Sequence, residues 1–227
     1  MHSLELAPQT KLGVLEAYYG YDSFRPGQEA IIDAILSGRD AMAIMPTSAG
    51  KSLCFQVPAL LLPGVTLVIS PLISLMQDQV SSLEAMGIPA VLINSGQSLE
   101  ENRQAVTALR SGRVKLAYIA PERLSNDYFL NLVSQLEVSL VAVDEAHCIS
   151  QWGNDFRPSY QAIPHLLDYL AKRPVMAAFT ATATQQVRQD IVHYLGLQKP
   201  FEMVTGFDRP NLFFALEEPS DKMRRLK

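Results

Sequence analysis

A chain of 227 residues that is 48% hydrophobic and 19% charged has a globular composition, with enough length to bury a sizeable core in one large or two small domains. Its formal net charge of −4 excludes nucleic-acid binding through bulk positive charge, so any such contact has to use a local groove. The two cysteines, Cys54 and Cys148, are far apart and fit no zinc or redox spacing, which points to a reducing, cytoplasmic setting.

In chain order, residues 1–15 lack the basic start and apolar core of a signal peptide. Residues 9–19 carry Leu12, Leu15 and Tyr19 at helical spacing, and a second helix runs from Gln28 to Leu36. The apolar run 41–44 reads as a strand and 53–62 as a helix. Between them stands Met-Pro-Thr-Ser-Ala-Gly-Lys-Ser at 45–52. Strand, small-residue loop ending in Gly-Lys-Ser, then helix is the layout of a phosphate-binding P-loop. The backbone amides of Thr47, Ser48, Ala49 and Gly50 and the helix N-terminus would face phosphate oxygens. Lys51 would bring a positive charge to the β- and γ-phosphates of ATP, and Ser52 a hydroxyl to Mg²⁺. Met45 is off-pattern, because the consensus begins with Gly or Ala.

The charge-free run 59–76 is long enough for a membrane span, but Pro63, Gly64 and Pro71 would break such a helix. It parses instead as a helix end, a turn, a strand at 65–70 and a helix at 72–86, so no membrane contact is expected. A strand at 90–94 follows, and Ser98 with Glu101 forms a capping box opening a helix to about Leu109. The pattern continues with a strand at 114–119, an interrupted helical stretch at 121–136, a strand at 138–143, a helix from Pro164 to about Leu170, a strand at 175–180, a helix at 183–195 closed by Gly196, and weaker strands at 201–204 and 212–216. Strands alternate with helices, and several strands are apolar throughout. The expected fold is therefore α/β, a mostly parallel sheet with helices on both faces. Asp144 and Glu145 end a buried strand. Adjacent carboxylates there can hold Mg²⁺ and orient or deprotonate an attacking water, at the sheet edge where α/β proteins bind ligands.

The sequence Asp-Glu-Ala-His at 144–147, followed by Cys-Ile-Ser-Gln-Trp-Gly at 148–153, resembles the DEAH box and its sequel in RecQ-family DNA helicases of superfamily 2. The resemblance runs over about residues 12–213 and rests on several motifs in the family's order. It implies a RecA-like P-loop NTPase fold and ATP-dependent 3′-to-5′ DNA unwinding in repair and recombination. Phe-Arg-Pro-Gly-Gln at 24–28 resembles the adenine-reading motif, with Gln28 on the base edge and Tyr21 and Arg25 sandwiching the ring. The stretch from Ser70 to Gln79 resembles a DNA-facing motif in which Ser70 would hold a phosphate and the apolar residues would be core. Arg123 would meet a phosphate or pair with Glu122. Trp152, Phe156 and Arg157 belong to an aromatic-rich loop that stacks on bases and meets phosphates, beside Gln151, Asp155 and Tyr160. His147, Gln151, Thr180 and Thr182 would couple the DNA side to the ATP side. Thr182 could also cap the following helix, with Gln185 as reciprocal partner.

Lys51, Asp144 and Glu145 would be catalytic, with Ser52 and Asp144 holding Mg²⁺. Two departures from the family are local: Ser48 and Ala49 replace a Gly-rich pair, and Asn154 stands where His is frequent. The third is length. Residues 1–206 read as the first RecA-like lobe and 207–227 as a linker or the start of a second lobe, which would carry the arginine finger. No zinc cluster is expected. The expected partners are single-stranded or duplex-junction DNA and a second RecA-like lobe, with weak or no unwinding by this chain alone. The rival readings are a non-catalytic nucleotide- or DNA-binding regulatory module and an RNA-directed lobe of the same superfamily.

Overall fold

A computed structural model describes residues 8–46 and 49–205. Seven strands, β1 (Ala41–Ile44), β2 (Val65–Ile69), β3 (Ala90–Ile93), β4 (Leu116–Ile119), β5 (Val138–Val143), β6 (Val175–Thr180) and β7 (Phe201–Val204), form one sheet in the order β3-β4-β2-β5-β6-β1-β7. Every described strand pair is parallel. The helices are α1 (Lys11–Tyr19), α2 (Gln28–Leu36), α3 (Leu53–Leu61), α4 (Ile73–Ala85), α5 (Leu99–Arg110), α6 (Asp127–Val133), α7 (Ile163–Leu167) and α8 (Gln185–Tyr194).

β1 to β6 are mainly apolar because both faces of the sheet are covered there, while the edge strand β7 carries an exposed Glu202, and side chains alternate between the faces with period two. Leu67 and Ile69, Val141 and Val143, and Met176 and Ala178 face one core, which is completed by Ala105, Phe129, Leu166 and Ile191 of α5 to α8. Val68, Leu140, Ala142, Ala177 and Phe179 face the other, which Ile31, Phe55 and Met76 of α2 to α4 complete. Each large side chain so buried contributes about 1.5–3 kcal/mol. Helix α1 lies outside the second layer, with Val14 packed among Ile32 and Val57. No helix among the described residues is long and apolar enough to cross a membrane.

Local chemistry sets the element ends. Ser98 Oγ accepts from the Glu101 amide while the Glu101 carboxylate accepts from the Ser98 amide, so the expected capping box is formed. The helical stretch after Pro121 is broken at Asn126, whose extended backbone and side-chain acceptor start α6 anew. Three expectations change. Leu12 is exposed, and Val14 and Leu15 are the buried positions of α1. Thr184, not Thr182, caps α8, accepting from the Val187 amide at 3.3 Å. Leu72, Ile73 and Leu75, expected in the core, are exposed at the start of α4. The proposed strand at 212–216 and the linker at 207–227 lie outside the described residues.

Because all strands run the same way, the residues that follow them converge on one edge: Met45 after β1, Ser70 after β2, Asp144 after β5 and Thr180 at the end of β6. The opposite edge is tied by Asp40, whose buried carboxylate accepts from Nη1 and Nη2 of Arg173 and from the amides of Met176 and Gln198.

Candidate active site at the carboxyl edge of the sheet

Met45 is fully buried in the core between sheet and helices, and its amide donates to Thr180 O at 3.0 Å. Its off-pattern side chain therefore points away from the loop, so a large apolar residue is tolerated there. Thr47 and Ser48 lie outside the described residues. Gly50 has φ 75°, and a Cβ there would lie 2.7 Å from Gln28 Nε2, so only glycine suits both the backbone and the space. Gln28 is itself buried. Its Nε2 donates to Ala49 O at 3.1 Å and Gly50 O at 3.0 Å, and its Oε1 accepts from the Arg25 amide at 2.9 Å. The side chain expected to read a base edge thus clamps the P-loop backbone in this structure. Tyr21, half-exposed, lines a small cavity of about 120 Å³ with Ser23, Arg25, Gln28, Gly50 and Leu53, which is where a flat base would enter.

Lys51 is 8% exposed and its Nζ lies 3.5 Å from Glu145 Oε1. Ser52 precedes α3 directly, so Lys51 and Ser52 sit at a helix N-terminus. Asp144 continues β5, its amide donating to Ile69 O at 2.8 Å. Burial, and then the neighbouring Glu145 charge, push the Asp144 carboxyl above its ordinary range, a cost that a cation at the carboxylate would relieve. Ser70 is buried and its hydroxyl donates to Asp144 Oδ2 at 3.4 Å. The residue expected to hold DNA is therefore turned inward, onto the proposed metal-binding carboxylate. Tyr160, fully buried, donates to Asp144 O at 2.8 Å.

Glu145 adopts φ 46° and ψ 45°, a left-handed conformation uncommon for a residue with a Cβ. The turn brings its carboxylate between Lys51 and His147, with Oε2 3.2 Å from His147 Nδ1. His147, above all, and then Lys51 hold the carboxyl below its ordinary range against the effect of burial. His147 is pushed up to about 9, first by Cys148, whose Sγ lies 3.8 Å from Nε2, and then by Glu145. Thr180 Oγ1 gives its one proton to Thr182 O at 3.1 Å, so it accepts from His147 Nδ1–H at 2.9 Å. A charged imidazole with both nitrogens protonated satisfies all of these contacts.

On the expected DNA side, Trp152 is 74% exposed, and Gln151 and Thr182 are exposed, while Phe156 is half-buried. Arg157 pairs with Asp155 at 2.7 Å and donates to Pro71 O at 3.1 Å, tying the loop to the start of α4. Gly153 turns this loop so tightly that a Cβ there would meet His147 O at 2.3 Å. Arg123 has no ion pair with Glu122, which instead accepts from Ser95 Oγ. The Arg123 guanidinium stands 6.0 Å over the Phe129 ring, with Nε buried and without a hydrogen-bond partner. Of the expected site residues, Lys51, Glu145, His147 and Thr180 are linked through direct contacts, and Ser70 bonds Asp144 beside them. Arg123 is not among them. The clamping by Gln28 and the Tyr160 bond to Asp144 O were not visible in sequence, since neither has a local motif.

A parallel sheet with a glycine–lysine–serine loop and an acidic pair at its carboxyl edge defines a RecA-like P-loop domain of the helicase type. The profile of the DEAD/DEAH box helicase family matches residues 25–191, and the chain belongs to that family. It is 51% identical over 218 residues to the ATP-dependent DNA helicase RecQ of Pasteurella multocida, covering 96% of this chain and 34% of that protein. It is 50% identical over 212 residues to the ATP-dependent DNA helicase RecQ of Bacillus subtilis, covering 93% and 36%. The chain thus spans about a third of the length of these relatives. Among solved structures, the Hef helicase domain of Pyrococcus furiosus superposes with a TM-score of 0.62 at 25% identity, covering 79% of this chain and 37% of that one. A hypothetical ATP-dependent RNA helicase from Sulfolobus tokodaii, at 0.64 and 20% identity over 85% and 56%, shares the fold.

Proposed function

We propose that this chain is the ATP-binding first motor lobe of a RecQ-like 3′-to-5′ DNA helicase acting in DNA repair and recombination, working with a second RecA-like lobe on single-stranded or duplex-junction DNA. The observation that carries the reading is the contact chain Lys51–Glu145–His147–Thr180, which joins the P-loop, the DEAH box and the end of β6 at one edge. The identity to RecQ helicases over nearly the whole chain supports DNA as the substrate class.

The donor set suits Mg²⁺, a hard cation that takes one or two protein oxygens and completes its shell with phosphate and water. Among the described residues no cluster of three or more His, Cys, Asp or Glu is placed to hold a metal by itself. Asp144 and Ser52 are the residues that would hold Mg²⁺. Bound Mg·ATP supplies a cleavable phosphoanhydride with its charge partly neutralised. Lys51 and Glu145 hold each other, and a phosphate drawing Lys51 away releases the Glu145 carboxylate. His147 holds the Glu145 carboxyl below its ordinary range, and as a carboxylate Glu145 can orient a water or accept its proton. Thr180, bonded to His147, and Thr182, bonded to Thr180, are the coupling elements between that carboxylate and the exposed Trp152 loop. The setting is cytoplasmic.

The test is calorimetric titration of the chain with Mg·ATP, alongside strand separation by the chain alone. Weak binding that falls about tenfold or more in Lys51→Ala, a loss of about 1.4 kcal/mol, is expected, with no unwinding. Equal binding by Lys51→Ala, or processive unwinding by the chain alone, would contradict the reading.

A further inference from the structure

We infer that the hydrogen bond between Ser150 and Asp190 is a latch that holds the Trp152 loop, making Ser150 and Asp190 positioning residues for that loop. Ser150 is fully buried. Its Oγ donates to Asp190 Oδ2 at 2.6 Å and accepts from the Trp152 amide at 3.1 Å. A hydroxyl has one proton, so donating it to Asp190 fixes the rotor and turns a lone pair to the Trp152 amide. A short bond to a carboxylate is the strong kind. The other Asp190 oxygen accepts from Gln186 Nε2 at 3.1 Å, one turn earlier on α8, so the carboxylate is itself held at both oxygens.

This ties α8 to the segment that follows the DEAH box. Separately, Thr180 at the end of β6 bonds His147, and Thr184 then caps α8. His147 and Ser150 share one turn, the Ser150 amide donating to His147 O at 3.2 Å, so a change at His147 reaches the base of the Trp152 loop directly, and the bond to α8 sets where that base sits. Trp152 projects into solvent from an anchored base, which suits a side chain that must meet a partner in one orientation. The consequence for DNA rests on the proposed reading of this loop as the DNA-facing element, whereas the latch does not.

The chain contains one tryptophan, so its fluorescence reports this loop alone. Time-resolved anisotropy of the full chain is measured for wild type, Asp190→Ala, Ser150→Ala and Asp190→Asn, the last of which keeps an acceptor oxygen. Loosening the latch is expected to raise the nanosecond depolarisation amplitude about twofold in both alanine variants, in the time range of loop motion, and to leave Asp190→Asn close to wild type. In a second arm, a single-stranded oligonucleotide that quenches wild-type Trp152 should require about tenfold higher concentration in Asp190→Ala, with Mg·ATP affinity unchanged. No oligonucleotide response in wild type would sink the DNA reading and leave the anisotropy to decide on the latch. An Asp190→Ala decay indistinguishable from wild type, or an Asp190→Asn variant as mobile as the alanine variants, would overturn the latch.

Discussion

Glu145 shows how one residue carries strain and charge together. Its left-handed backbone costs roughly 1–2 kcal/mol, and that conformation lets a strand-end side chain turn back between Lys51 and His147. Because Glu145 is one of the two partners that raise the His147 pKa, Glu145→Gln should bring that pKa down from about 9 toward its ordinary value, with Cys148 still in place. Ring-proton titration by NMR reads this directly, and an unchanged His147 would contradict the pairing. The sign for stability follows. A folded-state pKa raised above the unfolded one contributes stability that is complete below about 6.5 and is lost as pH rises through about 9. The wild type should therefore lose melting temperature from pH 7 to 9 faster than Glu145→Gln. Gly50 is the second sensitive position. Gly50→Ala meets both a positive φ and the Gln28 amide at 2.7 Å, and should lower stability by about 1–2 kcal/mol in denaturant unfolding.

The elements are fixed mainly by burial, with a few polar devices at their ends. The capping box of α5 is one, and Ser98→Ala should cost about 1 kcal/mol, or about 2–4 °C in Tm for a chain of this size. Asp40 is a stronger one. It sits just before β1 and joins Arg173, the start of β6 and the chain entering β7, so its loss uncouples three elements. Asp40→Ala should destabilise by about 3 kcal/mol, because it leaves the Met176 and Gln198 amides without their acceptor and removes the ion pair to Arg173. A change under 1 kcal/mol in chemical denaturation would show the hub to be dispensable.

Across the whole molecule, periodicity revealed the sheet and its layers, because a strand covered on both faces is apolar almost throughout, as β1 and β3 are at every position and β2 is but for the buried Thr66. The chemistry-bearing edge was legible because parallel strands put their carboxyl ends on one side, so the loop at 45–52 and the pair at 144–145 share an edge, and the strand order, with only β6 between β1 and β5, brings them together. What stayed hidden is set by side-chain direction at single positions. No sequence pattern tells that Ser70 turns in to Asp144, that Leu72, Ile73 and Leu75 turn out, or that Gln28 bonds the P-loop backbone. Those choices depend on contacts between segments far apart in the chain. The same edge has the cluster proposed to face ATP and an exposed aromatic loop that share the DEAH turn, and the central claim is that the two communicate. The measurement that tests it most directly is steady-state ATP hydrolysis by this chain continued through a second motor lobe, with and without single-stranded DNA, in wild type and Glu145→Gln. Strong stimulation by DNA in wild type, abolished in Glu145→Gln with ATP binding retained, is the expected result. Hydrolysis indifferent to DNA, or equal turnover in the two proteins, would contradict it.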